Sequence, residues 1–256
     1  MTSGTVVTFD GSYDGFLCII FAHYYDALVP ATIMHDAELT LFSSGFGDTR
    51  HIQTCPTKAA RVANGLRNKV SDRASHNVYL AFHAAQEGRL ATIFDYVKLA
   101  FKLGHMVDSH LNIDCVRATH KLAGVVARES HLLNGFCRFV ETTQGVLYSP
   151  ITPRNDVLPI IVNHFSQRLM GLPWIIHDKH RNRAAVYDGN NYTTCSVPAN
   201  ATIEYANTEL ETQELWVKFF NALAIDARKN PKLQRQMLPL YFRKNMTEFV
   251  AQFPKK

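Results

Sequence analysis

The first half of the chain has the spacing of apolar residues that is typical of amphipathic helices. One predicted helix face collects five apolar side chains at intervals of three to four residues: Leu90, Ile93, Phe94, Val97 and Phe101. Ser12, Ser71 and Asp114 are placed to cap helices. The pattern predicts a short strand at Thr5–Phe9, followed by helices over these ranges: 12–25, 56–70, 71–86, 90–104 and 114–134. Residues 30–55, which include Gly45 and Gly47, lack periodicity and are predicted to form an irregular surface segment.

The second half changes to the alternating pattern of strands. Strands are predicted at 136–140, 146–151, 174–178, 184–187 and 192–197, with one helix at 156–169. The simplest arrangement is an antiparallel sheet with that helix covering one face. Thr208 and Glu211 have capping-box spacing, and the apolar stripe that follows predicts a helix docked into the core.

These elements predict an α+β fold. The N-terminal half is helical, the C-terminal half holds an antiparallel sheet with its covering helix, and a C-terminal helix carries a basic tail. Residues 1–135 form the mainly helical region and residues 136–256 the sheet region, which we expect to interlock as one domain.

The overall composition is that of an ordinary folded, soluble protein, with 46% hydrophobic and 19% charged residues. The chain shows no membrane-spanning run and no signal peptide, and its five cysteines are scattered. We therefore expect a cytoplasmic protein without disulfides. Gly45-Phe-Gly47 lacks the strand and helix that flank a phosphate loop, and no motif predicts a metal or another cofactor.

Positive charge is concentrated near the C-terminus, and this is the strongest functional signal. Residues 226–244 hold six Lys or Arg and one Asp, while the formal charge of the whole chain is only +5. Such cations, with aromatic and amide side chains among them, predict a nucleic-acid contact surface; the alternative is an ordinary solvated helix face. The candidate residues here are Arg228, Lys229, Lys232, Arg235, Arg243 and Lys244. A second basic group consists of Arg138, Arg168, Lys179, Arg181 and Arg183.

A smaller set of residues has the side chains needed for acid–base chemistry. The candidates are His131, Glu129, His164, His177 and Asp178. Because neighbouring residues of a strand point to opposite faces, only one of His177 and Asp178 can face the covering helix. A metal site at His164, His177 and Asp178 is therefore disfavoured, and Asp178 is expected to cap the next turn or pair with Arg181.

Four stretches of sequence carry a resemblance to a known family. They are Phe9–Leu17, the segment from His120 to Phe139, Pro173–Asp178 and Glu214–Gln236. In these the chain resembles a bacterial domain-of-unknown-function family described as putative DNA metabolism or DNA repair proteins. The resemblance implies a radical-SAM protein as partner, and some members are fused to a uracil-DNA glycosylase-like domain.

Three functions follow as hypotheses. The first is a DNA repair or modification protein that binds nucleic acid, DNA rather than RNA, and positions it for the radical-SAM partner. The second is an enzyme that acts on a nucleobase or phosphodiester through the His and carboxylate candidates. The third is an adaptor that binds only the radical-SAM protein.

Overall fold

The computed structural model describes residues 5–38, 48–198 and 200–250. Of the predicted irregular segment 30–55, residues 39–47 with Gly45 and Gly47 lie outside the described residues. The chain divides into two compact units, Met1–Ala127 and Arg128–Lys256. The α+β fold class is confirmed, with helices prevailing in the first half and a five-stranded sheet with helices in the second. Over the described part of the chain, no helix has the length and apolar character needed to cross a membrane.

The first unit contains a small parallel sheet as well as helices. Its elements are β1 (Thr5–Phe9), α1 (Tyr13–Tyr25), β2 (Pro30–His35), β3 (Thr49–His51), α2 (Pro56–Lys69), α3 (Asp72–Phe82), α4 (Arg89–Leu103) and the start of α5 (Asp114–Phe136). β1 is the central strand and pairs in parallel with β2 on one side and β3 on the other. The prediction of irregular structure was wrong for β2 and β3, because both owe their conformation to pairing with β1.

The core of the first unit is built on β1 and α1. Val7, Phe9, Phe16 and Ile19 are fully buried. Ser12 begins α1 as predicted, since its hydroxyl accepts a hydrogen bond from the Gly15 amide at 2.9 Å. The apolar face predicted for α4 is buried through Val97, while Phe101 is half-buried.

The second unit is organised around the five-stranded sheet. Its elements are the end of α5, β4 (Val140–Glu141), β5 (Leu147–Ile151), α6 (Leu158–Arg168), β6 (Trp174–Asp178), β7 (Arg183–Tyr187), β8 (Tyr192–Ser196), α7 (Glu209–Leu223), α8 (Pro231–Met237), α9 (Leu240–Arg243) and α10 (Thr247–Val250). The strands lie in chain order, and α6 packs on β6 and β7. All neighbouring strands are antiparallel except β5 and β6. The sheet is therefore mixed, because α6 returns the chain so that β6 runs in the direction of β5.

The docking of α7 was predicted through an apolar stripe of five residues, and it is correct for two of them and wrong for three. The stripe consists of Leu215, Trp216, Phe219, Phe220 and Leu223. Leu215, Phe219 and Leu223 are 68%, 53% and 64% exposed. The helix is held by the other two residues of the stripe: Phe220 packs against Phe249 of α10 with ring centroids 5.9 Å apart, and the indole N–H of Trp216 donates to Glu248 at 3.1 Å. Leu215, Phe219 and Leu223 thus leave one side of the stripe facing solvent.

Candidate nucleic-acid interface

The C-terminal cations form an exposed group around α8. Asn230 caps this helix by accepting a hydrogen bond from the Leu233 amide at 3.0 Å, and Pro231 occupies the first turn, where its missing N–H costs nothing. Lys232 and Arg235 are three residues apart and share one side of the helix. The side chains that face solvent are Arg228, Lys229, Lys232 and Arg235, and Lys244 is exposed beyond them.

Arg243 belongs to the same stretch of sequence but has a different environment. It is only partly exposed, and its guanidinium lies 4.7 Å from the centroid of the Phe249 ring. Its Nε and Nη2 atoms are buried and make no hydrogen bond within the described part of the chain. Arg243 therefore packs against the C-terminal helices, and its charge contributes less to the outer surface than that of Arg235.

Arg138, from the second basic group, is held by a buried carboxylate. Its Nε and Nη2 donate to Glu248 at 3.1 and 2.6 Å, and the Glu248 side chain is 1% exposed. The indole N–H of Trp216 donates to the same carboxylate at 3.1 Å. Although burial alone would raise the pKa of Glu248, the bonds from Arg138 and Trp216 outweigh it and lower that pKa. The charge of Arg138 is thus matched inside the protein.

Arg181 is engaged in the same way, as the sequence predicted for Asp178. The Asp178 side chain, 1% exposed, accepts from the His180 amide at 3.0 Å and from Arg181 Nη1 at 3.0 Å. Arg181 also donates to the carbonyl of Arg154 at 2.6 Å. The predicted turn-capping role of Asp178 is confirmed.

Of the three remaining residues of the second basic group, one forms an ion pair and two are exposed to solvent. Arg183 forms an ion pair with Asp156 at 3.3 Å. Arg168 and Lys179 are exposed. The second basic group therefore presents two outward cations rather than the five that its sequence contains.

Glu129, the first acid–base candidate, acts as a structural anchor. Its buried carboxylate accepts from the amides of Arg154 and Asn155 at 2.8 and 2.9 Å, from the Asn155 side chain at 2.6 Å and from the Tyr241 hydroxyl at 3.2 Å. These four donors occupy the acceptor positions of its two oxygens. His131, two residues further along α5, is exposed.

His177 finds a partner that the sequence did not suggest. Its Nδ1 lies 2.9 Å from the hydroxyl of Tyr148 on the neighbouring strand, and both side chains are buried. Burial, with the charge of Lys179, lowers the pKa of His177, and burial raises the pKa of Tyr148 to about 12. Both groups are therefore uncharged at neutral pH. The parallel pairing of β5 with β6 brings them to one face, and the sequence gives no signal of that pairing.

The acid–base candidates do not assemble into one site. Asp178 is directed away from His177 by strand alternation, and His164 is a half-buried residue of α6 whose Nε2 has no hydrogen-bond partner in the described residues. Throughout the ranges that the structure describes, no three His, Cys, Asp or Glu side chains are grouped to hold a metal ion.

A polar cluster at the carboxyl end of β1 was missed by sequence reasoning. Asp10 accepts hydrogen bonds from the Ser12 amide and hydroxyl at 2.9 and 2.7 Å and from the Thr54 hydroxyl at 2.8 Å. A Cβ at Gly15 would lie 2.5 Å from the Asp10 carboxylate, so only glycine fits there. The signal was present, because Asp10-Gly11-Ser12 directly follows the predicted strand Thr5–Phe9, but sequence reasoning used only Ser12, as a helix cap. Open parallel sheets bind ligands at this end of their strands.

Comparison with known proteins identifies a family for most of these elements. No curated protein matches the chain. A family model described as a domain of unknown function, DUF4130, matches residues 87–248, which include α4, the whole five-stranded sheet and the basic segment around α8. Phe9–Leu17, the first of the stretches that carried the resemblance, lies before the matched range. The match covers more than half of the chain, and the protein belongs to the DUF4130 family.

Proposed function

We propose that this protein binds nucleic acid, DNA rather than RNA, through the exposed cations around α8. The observation that carries the proposal is the common exposure of Arg228, Lys232 and Arg235 on a short capped segment. Each cation that neutralises a phosphate releases a counterion, and this release drives binding without regard to base sequence. Lys229 and Lys244 extend the same positive surface.

The second basic group has a smaller part in this proposal. Arg138, Arg181 and Arg183 already face carboxylates within the protein, so a phosphate would have to compete with those bonds. Arg168 and Lys179 are exposed and supply additional phosphate contacts. Tyr241, Phe242 and Trp174 are the aromatic residues that we considered for stacking on a base. They offer little surface for it, since Phe242 and Trp174 are buried and the Tyr241 hydroxyl donates to Glu129.

The biological setting of the proposal is DNA repair or modification together with a radical-SAM protein. The family resemblance supports this setting, and the exposed cations supply the chemistry for holding a polyanion. In this arrangement the protein presents nucleic acid to the partner, which performs the reaction.

Gel-shift titration at several salt concentrations tests the proposal. We expect binding to a DNA duplex at low salt, and we expect the variant Arg228→Gln/Lys232→Gln/Arg235→Gln to lower the slope of log affinity against log salt by about 2 to 3. A matched control is Arg73→Gln/Lys102→Gln/Lys121→Gln, which removes the same charge from exposed positions of the first unit. Failure to bind at low salt, or equal slopes for the two variants, would contradict the proposal.

A second candidate function is protein binding by the exposed face of α7. Leu215, Phe219 and Leu223 form a solvent-exposed apolar stripe of the kind that marks interaction sites. An adaptor for the radical-SAM protein would use this face. Phe219→Glu should then abolish co-purification of the partner in a nuclease-insensitive complex, while Phe219→Leu should preserve it.

A further inference from the structure

The first unit contains an open cavity between α1, α2 and α4. Its volume is about 620 Å³, which lies in the range of small-molecule sites. α1 contributes Phe21, Tyr24 and Tyr25, α2 contributes Arg61 and Gly65, and α4 contributes Phe101. The cavity therefore combines aromatic walls with a cation, and it lies within a single compact unit.

The aromatic rings that line the cavity are partly exposed. The rings of Phe21 and Tyr25 stack with centroids 4.3 Å apart, and Tyr24 meets Phe101 edge to face at 5.5 Å. Tyr24 and Tyr25 are nevertheless 47% and 57% exposed. Exposed aromatic surface inside a concave site favours a planar ring as ligand, because stacking removes that surface from water.

Among the described residues that line the cavity, two are charged, and both are cations. Arg61 lies 4.6 Å from the centroid of the Tyr25 ring, and Lys69 lines the cavity two turns further along α2. Lys58, one turn before Arg61, has its ammonium 5.3 Å from the centroid of the Phe21 ring. An anionic group on the ligand would be neutralised at the edge of the aromatic wall.

Gly65 keeps the cavity open. It lies in the interior of α2, where glycine is unfavourable. A Cβ added at this position would lie 3.4 Å from two ring atoms of Phe101, so a longer side chain would enter the cavity or displace that ring. The amides of Asn64 and Asn68, on the same helix, line the cavity and can both donate and accept hydrogen bonds.

We infer that this cavity binds a nucleobase that carries a phosphate group. The aromatic rings would stack on the base, Arg61 and Lys69 would bind the phosphate, and the asparagine amides would contact the edge of the base. Two sources have this chemistry, a free nucleotide and an unpaired base of a single strand. The inference rests on the first unit alone and does not require the cations around α8 to bind DNA.

Calorimetric titration of the full chain with a nucleotide, a nucleoside and a sugar phosphate shows how much the base and the phosphate each contribute to affinity. Adenosine 5′-monophosphate should bind more tightly than adenosine, and ribose 5-phosphate should bind most weakly, because stacking and charge act together. Tyr25→Leu should weaken binding of the nucleotide about tenfold or more, since each base stacked on an aromatic ring contributes on that scale. The matched control is Tyr192→Leu in β8, where the tyrosine is 42% exposed, and it should bind like the wild type.

Two further variants test the cavity itself. Gly65→Leu should abolish binding by filling the cavity, and Arg61→Gln should weaken the nucleotide but not the nucleoside. If Gly65→Leu fails to fold, as shown by its circular dichroism, Tyr25→Leu and Arg61→Gln still decide the matter. Equal binding of the nucleotide by the wild type, Tyr25→Leu and Arg61→Gln would overturn the inference, as would the absence of binding of both nucleotide and single strand.

Competition identifies the source of the ligand. A short single-stranded oligonucleotide that is displaced by adenosine 5′-monophosphate, and whose binding depends on Tyr25, supports an unpaired base in a strand. Nucleotide binding that the oligonucleotide does not displace supports a free nucleotide. Repeating the titration with Arg228→Gln/Lys232→Gln/Arg235→Gln keeps the two proposals apart, because this variant should bind duplex DNA more weakly and bind the nucleotide like the wild type.

Discussion

The two basic groups of this protein consist of the same residue types but have opposite environments. Around α8, the cations Lys232 and Arg235 are exposed on the short helix itself, and Arg228 is exposed just before the residue that caps it. In the second basic group, Arg138 and Arg181 each face a carboxylate that is 1% exposed. Arg228, Lys232 and Arg235 face solvent, whereas Arg138 and Arg181 are paired with carboxylates inside the protein.

The difference shows what separates a binding cation from a structural one. A guanidinium beside a buried carboxylate compensates that charge, and removing it leaves the carboxylate without its partner in a poorly solvated place. A guanidinium on an exposed turn is already hydrated and gains by releasing counterions from a polyanion. Substitution should therefore change stability in one group and binding in the other.

The largest expected effect belongs to Arg138→Met, which should lower the free energy of unfolding by about 3 to 5 kcal/mol. Glu248 would remain buried, and among the residues that the structure describes the Trp216 N–H would be its remaining side-chain donor. Urea denaturation measures the change. The matched control, Arg235→Met, should stay within about 0.5 kcal/mol of the wild type because its side chain is exposed.

A second variant checks the cause of that loss. In Arg138→Met/Glu248→Leu the unpaired carboxylate is gone, and most of the lost stability should return. If Arg138→Met lowered the free energy of unfolding by less than about 1 kcal/mol, the Arg138–Glu248 pair would be no stronger than an exposed ion pair. The proposed difference between structural and exposed cations would then be contradicted.

The ionisation of Glu248 should make the stability of the protein depend on pH, and this effect should be of intermediate size. Burial opposes ionisation of Glu248, but the bond from Arg138 prevails and the pKa in the folded protein lies below the ordinary value of 4.5. This contribution is fully present above that value and is lost as the pH falls through the folded pKa. The stability difference between the wild type and Arg138→Met should therefore shrink in acid.

Thermal midpoints from neutral pH to well below the ordinary glutamate pKa measure this difference. Other carboxyl groups with lowered pKa values, such as Asp10, titrate in both proteins and cancel. A difference that stays constant through the acid range would mean that Arg138 stabilises the fold by packing on Trp216, which lies 5.3 Å from its guanidinium, rather than by charge.

The same contrast explains which parts of the structure could be predicted from the sequence. Asp178 and Arg181 are three residues apart, so a turn brings them together and their pairing was predictable. Arg138 and Glu248 are 110 residues apart, and only the folded second unit brings them into contact. Local spacing indicates local bonds, whereas a distant partner leaves no trace in the pattern.

The strands also differ in whether their pairing could be predicted from local sequence. β6, β7 and β8 follow one another through short turns, and their alternating residues predicted an antiparallel arrangement that the structure confirms. β3 has three exposed residues and no apolar alternation, so its pairing with β1 could not be anticipated. Leu215, Phe219 and Leu223 of α7 have the spacing of a buried face but are exposed. Hydrophobic spacing identifies an apolar face, but it does not show which surface covers that face.

Arg235→Met should have the smallest effect on stability and the most specific effect on DNA binding. This variant should unfold like the wild type, yet its slope of log affinity against log salt should be smaller by about 0.9 for duplex DNA or about 0.7 for a single strand. Gel-shift titration measures the slope, with Arg73→Met as the matched control from an exposed position of α3. The size of the change also reports which form of DNA is bound. An unchanged slope would mean that Arg235 contacts no phosphate, which would contradict its part in the proposed interface.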